Sequence, residues 1–198
     1  MTDNAETIRS VFKALIKGDQ SSAKTIAHQE YPFISFEPAK RSYTELQSTH
    51  VFIRDGFVDR YSGQGLVFPG ALRLLSIILP VEFPAHPNWK MSESHIVYWE
   101  LFPTIDHIVP VAKGGEDNES NWVTTSMIRN SAKSNWTLEE LGWQLLPKGK
   151  YEDWDGLVGN FLDLVDADKE LLRNSYLARW HRAAVSALDK MGENIPGI

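Results

Sequence analysis

The stretch Thr104–Trp143 reads TIDHIVPVAKGGEDNESNWVTTSMIRNSAKSNWTLEELGW, and its texture decides the fold. An apolar run ends at Asp106-His107, Gly114-Gly115 turns the chain, a second short run covers Trp122 to Thr125, and a helical pattern begins near Asn130. This order predicts strand, loop, strand, helix. Neighbouring strand residues face opposite ways, so Asp106 and His107 can share one site only if the strand bends or ends there. Pro110 follows shortly and suits such an ending.

The whole chain bounds the chemistry available to that stretch. Its 198 residues, 42% hydrophobic and 23% charged, suffice for one domain with a real core and exclude general disorder. Twenty Lys and Arg against 26 Asp and Glu leave a formal charge of -6, which argues against coating nucleic acid by bulk electrostatics but allows a local site. Residues 46–145, with seven basic and eleven acidic side chains, are the most acidic part. The absence of cysteine excludes disulfides, thiolate nucleophiles, iron–sulfur clusters and any cysteine-built zinc site. The opening MTDNAETIRS lacks the basic and apolar regions of a leader, and the longest apolar candidate, Leu72 to Val81, carries Arg73 and Pro80. A soluble, cytoplasmic protein with no membrane partner is the expectation.

Outside the central stretch the pattern is helical. Ile8, Val11, Phe12 and Leu15 recur at amphipathic spacing, and a second helix is predicted from about Ser21 to Gln29 before Tyr31-Pro32. Between about Tyr43 and Trp143 short apolar and aromatic runs broken by Gly, Pro and Asn suit strands and loops better than a helical bundle. From Asp168 onward Leu172, Tyr176, Trp180, Ala184 and Leu188 form one stripe, with Asp166 as N-cap and Gly192 and Pro196 as the stop. The organisation predicted is a helical extension over 1–45, a central domain over 46–145 and a helical segment packed on that core over 146–198.

Hydrolysis of a phosphodiester needs a base for water and a hard cation that holds the phosphate and neutralises the departing oxygen. Asp106 and Asn130 offer the oxygen ligands that magnesium prefers. His107 is the natural base, because an ordinary imidazole is mostly neutral at cellular pH. Asn121 is available to fix the loop that carries it.

Asp106-His107, with Asn121 fourteen residues after the histidine and Asn130 nine further on, resembles the HNH (His-Me finger, ββα-metal) endonucleases. The Asp-His-Ile-x-Pro-x-x-x-Gly-Gly run and Lys133, three residues after Asn130, are similar to that family as well. Upstream, Arg54-Asp55-Gly56-Phe57 and Asp59-Arg60-Tyr61-Ser62-Gly63 resemble its first strand and knuckle, so the likeness covers about residues 50–143. It implies an α+β fold with a ββα-metal (HNH) core and helical additions at both ends. It further implies a metal-dependent DNA endonuclease using magnesium or manganese, which leaves a 5'-phosphate and a 3'-hydroxyl. His107 would be the general base, Asp106 and Asn130 the metal ligands, Asn121 the support, and Lys133 a contact to phosphate or metal-bound water. Arg54, Arg60, Lys113 and Lys133 are the candidate DNA contacts. The other histidines lack such context, and His95 reads as a core or edge residue.

Many members of that family carry two Cys-x-x-Cys pairs around a structural zinc. The matching positions here are Asp59-x-x-Ser62 and Ser126-x-x-Arg129, so no structural zinc is expected. An ion pair between Asp59 and Arg129, with Ser62 and Ser126 hydrogen-bonded nearby, is the expected replacement. A catalytically silent nucleic-acid-binding module is the alternative function. A subunit whose substrate affinity comes from a partner also accommodates the acidic balance, and a homodimer would suit double-strand cleavage by a one-site fold. Restriction and phage defence are among the roles such an enzyme serves.

Overall fold

The computed structural model describes residues 4–33 and 42–193, which fall in two compact units divided between residues 40 and 41. The first unit is a pair of helices, α1 (Asn4–Ile16) and α2 (Gln20–Glu30), packed on each other. Asp19 caps α2 by accepting from the Ser22 amide at 2.9 Å, which sets its start one residue before the predicted one. The apolar spacing of α1 does predict the helix, but not burial. Ile8, Phe12 and Leu15 stay exposed and Thr7 is its buried residue.

The second unit mixes helices with a two-stranded antiparallel sheet and is therefore α+β. Its helices are α3 (Glu45–Arg54), α4 (Pro69–Ile78), α5 (Val97–Glu100), α6 (Met127–Lys133), α7 (Leu138–Leu141), α8 (Val158–Ala167) and α9 (Ser175–Glu193). The strands are β1 (Pro103–His107) and β2 (Trp122–Ser126), paired in the register Pro103 with Ser126 through His107 with Trp122. β1 ends at His107, as the sequence predicts, and α6 follows β2 without a loop.

The central region is more helical than its texture suggests. Arg54 closes a helix instead of opening a strand, because Thr44 and Gln47 form a reciprocal capping box that starts α3. Val51, Phe52 and Ile53 are then buried, with α3 packed against both β2 and α9. The run before Pro103 likewise forms the short α5 rather than a strand, and His95 Nδ1 there accepts from the Val97 amide at 3.1 Å. The helix predicted from Asp168 is broken. Lys169–Arg173 form a 3-10 turn capped by Asp168, and Asn174 Oδ1 then accepts from the amides of Tyr176 and Leu177 to restart the chain as α9. Asp166 pairs with Lys169 instead of capping. α9 is still helical at Gly192, and the proposed stop at Pro196 lies outside the described residues.

The core gathers Phe52, Phe57, Leu72, Phe161, Leu177 and Trp180 from α3, the following turn, α4, α8 and α9. Phe57 has φ 49° and no exposure. A left-handed phenylalanine costs roughly 1–3 kcal/mol, which burial of its ring beside Phe52, Phe68 and Tyr151 offsets. This core anchors the turn after α3 through Phe57.

Candidate active site

Two buried carboxylates tie that turn to β2. Asp55 Oδ2 accepts from the Thr124 amide at 2.8 Å, while Arg54 and Arg60 surround the same carboxylate. Asp59 accepts from the Tyr61 amide at 2.9 Å, the Thr125 hydroxyl at 3.1 Å and the Ser126 amide at 3.0 Å. The Asp59–Arg129 ion pair expected from the sequence is therefore replaced. The carboxylate is spent on hydrogen-bond donors of the turn and of β2, and the Arg129 guanidinium lies 5.4 Å from the Trp143 ring centre. Ser126 caps α6 by accepting from the Arg129 amide, and Ser62 Oγ accepts from the Gln64 amide.

α6 is clamped along β1 by its own side chains. Asn130 Nδ2 donates to Thr104 Oγ1 at 3.0 Å and to the Ile105 carbonyl at 3.1 Å. One turn later Lys133 Nζ donates to the His107 carbonyl at 2.7 Å and lies 3.0 Å from Asp106 Oδ2. The Lys133 side chain has 0% exposure, so the reading of it as a phosphate contact is corrected: its ammonium neutralises Asp106 inside the fold. The Tyr61 hydroxyl donates to the same Asp106 oxygen at 2.7 Å, and burial, reinforced by that carboxylate, pushes the phenol pKa up strongly. Asp106 Oδ1 and Asn130 Oδ1 accept no hydrogen bond among the described residues.

His107 is the last residue of β1 and has partners of its own. Its Nε2 lies 2.8 Å from Asp117 Oδ1. The same carboxylate oxygen accepts from Trp122 Nε1 at 2.9 Å and from the Tyr43 hydroxyl at 2.9 Å. Burial raises the Asp117 pKa, but the hydrogen bonds from His107, Trp122 and Tyr43 outweigh it and hold the carboxyl below its ordinary value. Trp122 Nε1 lies 3.2 Å from His107 Nε2 but closer, at 2.9 Å, to Asp117 Oδ1. An ionised carboxylate can only accept, so it takes the indole N–H and the neutral imidazole carries its proton on Nε2. Its lone pair is then on Nδ1, which makes no hydrogen bond among the described residues.

Asn121 spans the loop between the strands. Its Oδ1 accepts from the Val109 amide at 2.9 Å, and its Nδ2 donates to the carbonyls of Val109 at 2.9 Å and Glu116 at 2.8 Å. Gly115 has to be glycine here, since an added Cβ would fall 1.9 Å from the Val109 oxygen. Asn121 and Gly115 together fix the course of the chain that delivers Asp117 to His107.

The remaining candidate DNA contacts are committed elsewhere. Arg54 donates to the carbonyls of Glu119 and Trp122, and buried Arg60 donates to the Leu146 carbonyl. Lys113 pairs with Glu140, whose carboxyl is held down to about 2 by that hydrogen bond and by the Thr137 amide. Both guanidinium groups thus hold the fold.

Sequence reasoning missed Asp117, Tyr61, Trp122 and Tyr43 as members of this site. The loop holds Glu116, Asp117 and Glu119 within four positions, and spacing gives no means of choosing the one that meets the histidine. No group of three or more His, Cys, Asp or Glu side chains converges as a metal cage among the described residues. None of the helices among the described residues is long and apolar enough to cross a membrane. No known protein family, curated protein or solved structure matches the chain.

Proposed function

We propose that the chain is a metal-dependent DNA endonuclease whose β1, β2 and α6 form a ββα-metal (HNH) core. The observation that carries this reading is His107 at the end of β1, with one ring nitrogen engaged by Asp117 and the other left with a lone pair. A buried imidazole so arranged is a base with a defined tautomer, and general-base removal of a proton from water contributes typically 10²–10⁴-fold.

In this mechanism His107 Nδ1 takes the proton of the attacking water. Asp117 holds Nε2–H throughout and stabilises the imidazolium that results. Trp122 and Tyr43 orient Asp117 by donating to the same oxygen. Asn121 keeps the loop closed over the pair, and Lys133 keeps β1 pressed on α6 through the His107 carbonyl.

The donor set suits an oxygen-preferring dication with few protein ligands, since Asp106 and Asn130 each offer one amide or carboxylate oxygen that accepts no bond from the described residues. Magnesium or manganese held by these two residues would supply Lewis-acid stabilisation of the phosphate and of the leaving oxygen. Asp59, at one of the four positions where the resembling family uses zinc, joins the turn to β2.

A partner-dependent version has one specific observation in its favour. Arg54, Arg60, Lys113 and Lys133 are all engaged within the fold, so DNA affinity would come from other surfaces, a second copy or a partner subunit. Supercoiled plasmid incubated with the purified chain and magnesium tests the enzyme: relaxed or linear product that disappears on chelation is expected. Absence of metal-dependent product would leave only the silent binding module or the partner-dependent subunit.

A further inference from the structure

A cavity of about 270 Å³ opens between α4, the segment 85–94, α5 and the start of α9. Trp89, Tyr98, Phe102 and Tyr176 give it an aromatic lining beside Leu72, with Arg73 at its wall. Trp89 lies edge-on to both Tyr98 and Phe102. Its backbone is held at φ 54°, a conformation that bulky residues rarely adopt.

The polar groups around this cavity are nearly all used. The Tyr98 hydroxyl donates to the Phe83 carbonyl at 2.9 Å, and Ser94 Oγ accepts from the His86 amide at 2.9 Å. His86 faces Glu93 at 3.5 Å. Arg73 differs, because its half-buried guanidinium makes no hydrogen bond or ion pair among the described residues. A guanidinium that none of the described residues engages is ready to donate two parallel N–H groups to a planar acceptor edge. The volume falls just below the range of pockets for drug-sized ligands, so the occupant is a single small ring system.

We propose that this cavity binds one nucleobase, stacked among Trp89, Phe102 and Tyr176 and read on its acceptor edge by Arg73. Arg is the side chain that pairs bidentately with the O6 and N7 acceptors of guanine, which makes guanine the preferred base. The base comes either from a free nucleotide or from a strand that presents it unstacked, and the chemistry of stacking plus one guanidinium fork is the same in both. The site is separate from His107 and Asp117 and does not depend on the nuclease reading.

Calorimetric titration of the full chain carrying His107→Ala tests this without interference from cleavage. dGMP, a short guanine-containing single-stranded oligonucleotide and deoxyribose 5-phosphate are the three probes. Saturable binding of dGMP or of the oligonucleotide is expected, and the tighter of the two identifies the source of the base. Arg73→Met should weaken that binding by at least about fivefold, and Trp89→Leu should weaken it too, each with the thermal midpoint near that of the parent. No saturable binding of either base-containing probe would overturn the proposal. So would deoxyribose 5-phosphate binding equally well, or unchanged affinity in both variants.

Discussion

Asp117 Oδ1 lies 2.8 Å from His107 Nε2, although the two residues belong to a loop and a strand end ten positions apart. The carboxylate settles which ring nitrogen holds the proton and so which one can act. Asp117→Asn should therefore lower the cleavage rate roughly 10- to 100-fold with little change in KM, since the amide can present its NH₂ to Nε2 and favour the wrong tautomer. Steady-state kinetics on a labelled duplex, read as separate kcat and KM, check this.

The same carboxyl titrates below its ordinary value of 3.8. A depressed folded pKa means that the stabilisation is present above the unfolded value and is lost as pH falls through the folded one. The difference in urea midpoint between the parent and Asp117→Asn should persist from neutral pH to about pH 4 and shrink below it. A difference that grows below that point would contradict the hydrogen bonding described.

Lys133 and Asp106 form an ion pair with a fully buried ammonium. Lys133→Met should cost about 3–5 kcal/mol by leaving the carboxylate without its cation. The double change with Asp106→Leu should cost clearly less than the sum of the single changes. Chemical denaturation of the four proteins measures this coupling.

Asp59→Ala removes the acceptor of two buried amides and one hydroxyl. A loss of roughly 2–5 kcal/mol is expected from the unsatisfied donors. Arg129→Met, which touches Trp143 instead, should add to that loss without coupling. Thermal or urea unfolding of the single and double variants distinguishes additive from coupled behaviour.

What the sequence made legible follows from local physics. β1, the Gly114-Gly115 turn and β2 are legible from apolar runs and turn residues close together in the sequence. α3 escapes this reading because short apolar runs after Tyr43, broken by Gly and Pro, suit strands and loops. Val51, Phe52 and Ile53 belong to α3. In the fold they are buried because α3 is covered by β2 on one flank and α9 on another. The exposed Phe12 shows the converse, an amphipathic spacing that correctly predicts a helix and not what covers it. In the site, His107, Asn121 and Asn130 stood out through their spacing, whereas Lys133 and Arg60 looked like surface cations because their partners lie 26 and 86 positions away.

The central claim is that His107 is the base of a metal-dependent nuclease. Its most direct measurement is cleavage of supercoiled plasmid by wild type and His107→Ala at equal concentration in magnesium, with circular dichroism confirming that both are folded. The account predicts product from the wild type and a loss of at least about 10²-fold in the variant. A folded His107→Ala protein that cuts at the wild-type rate would contradict it.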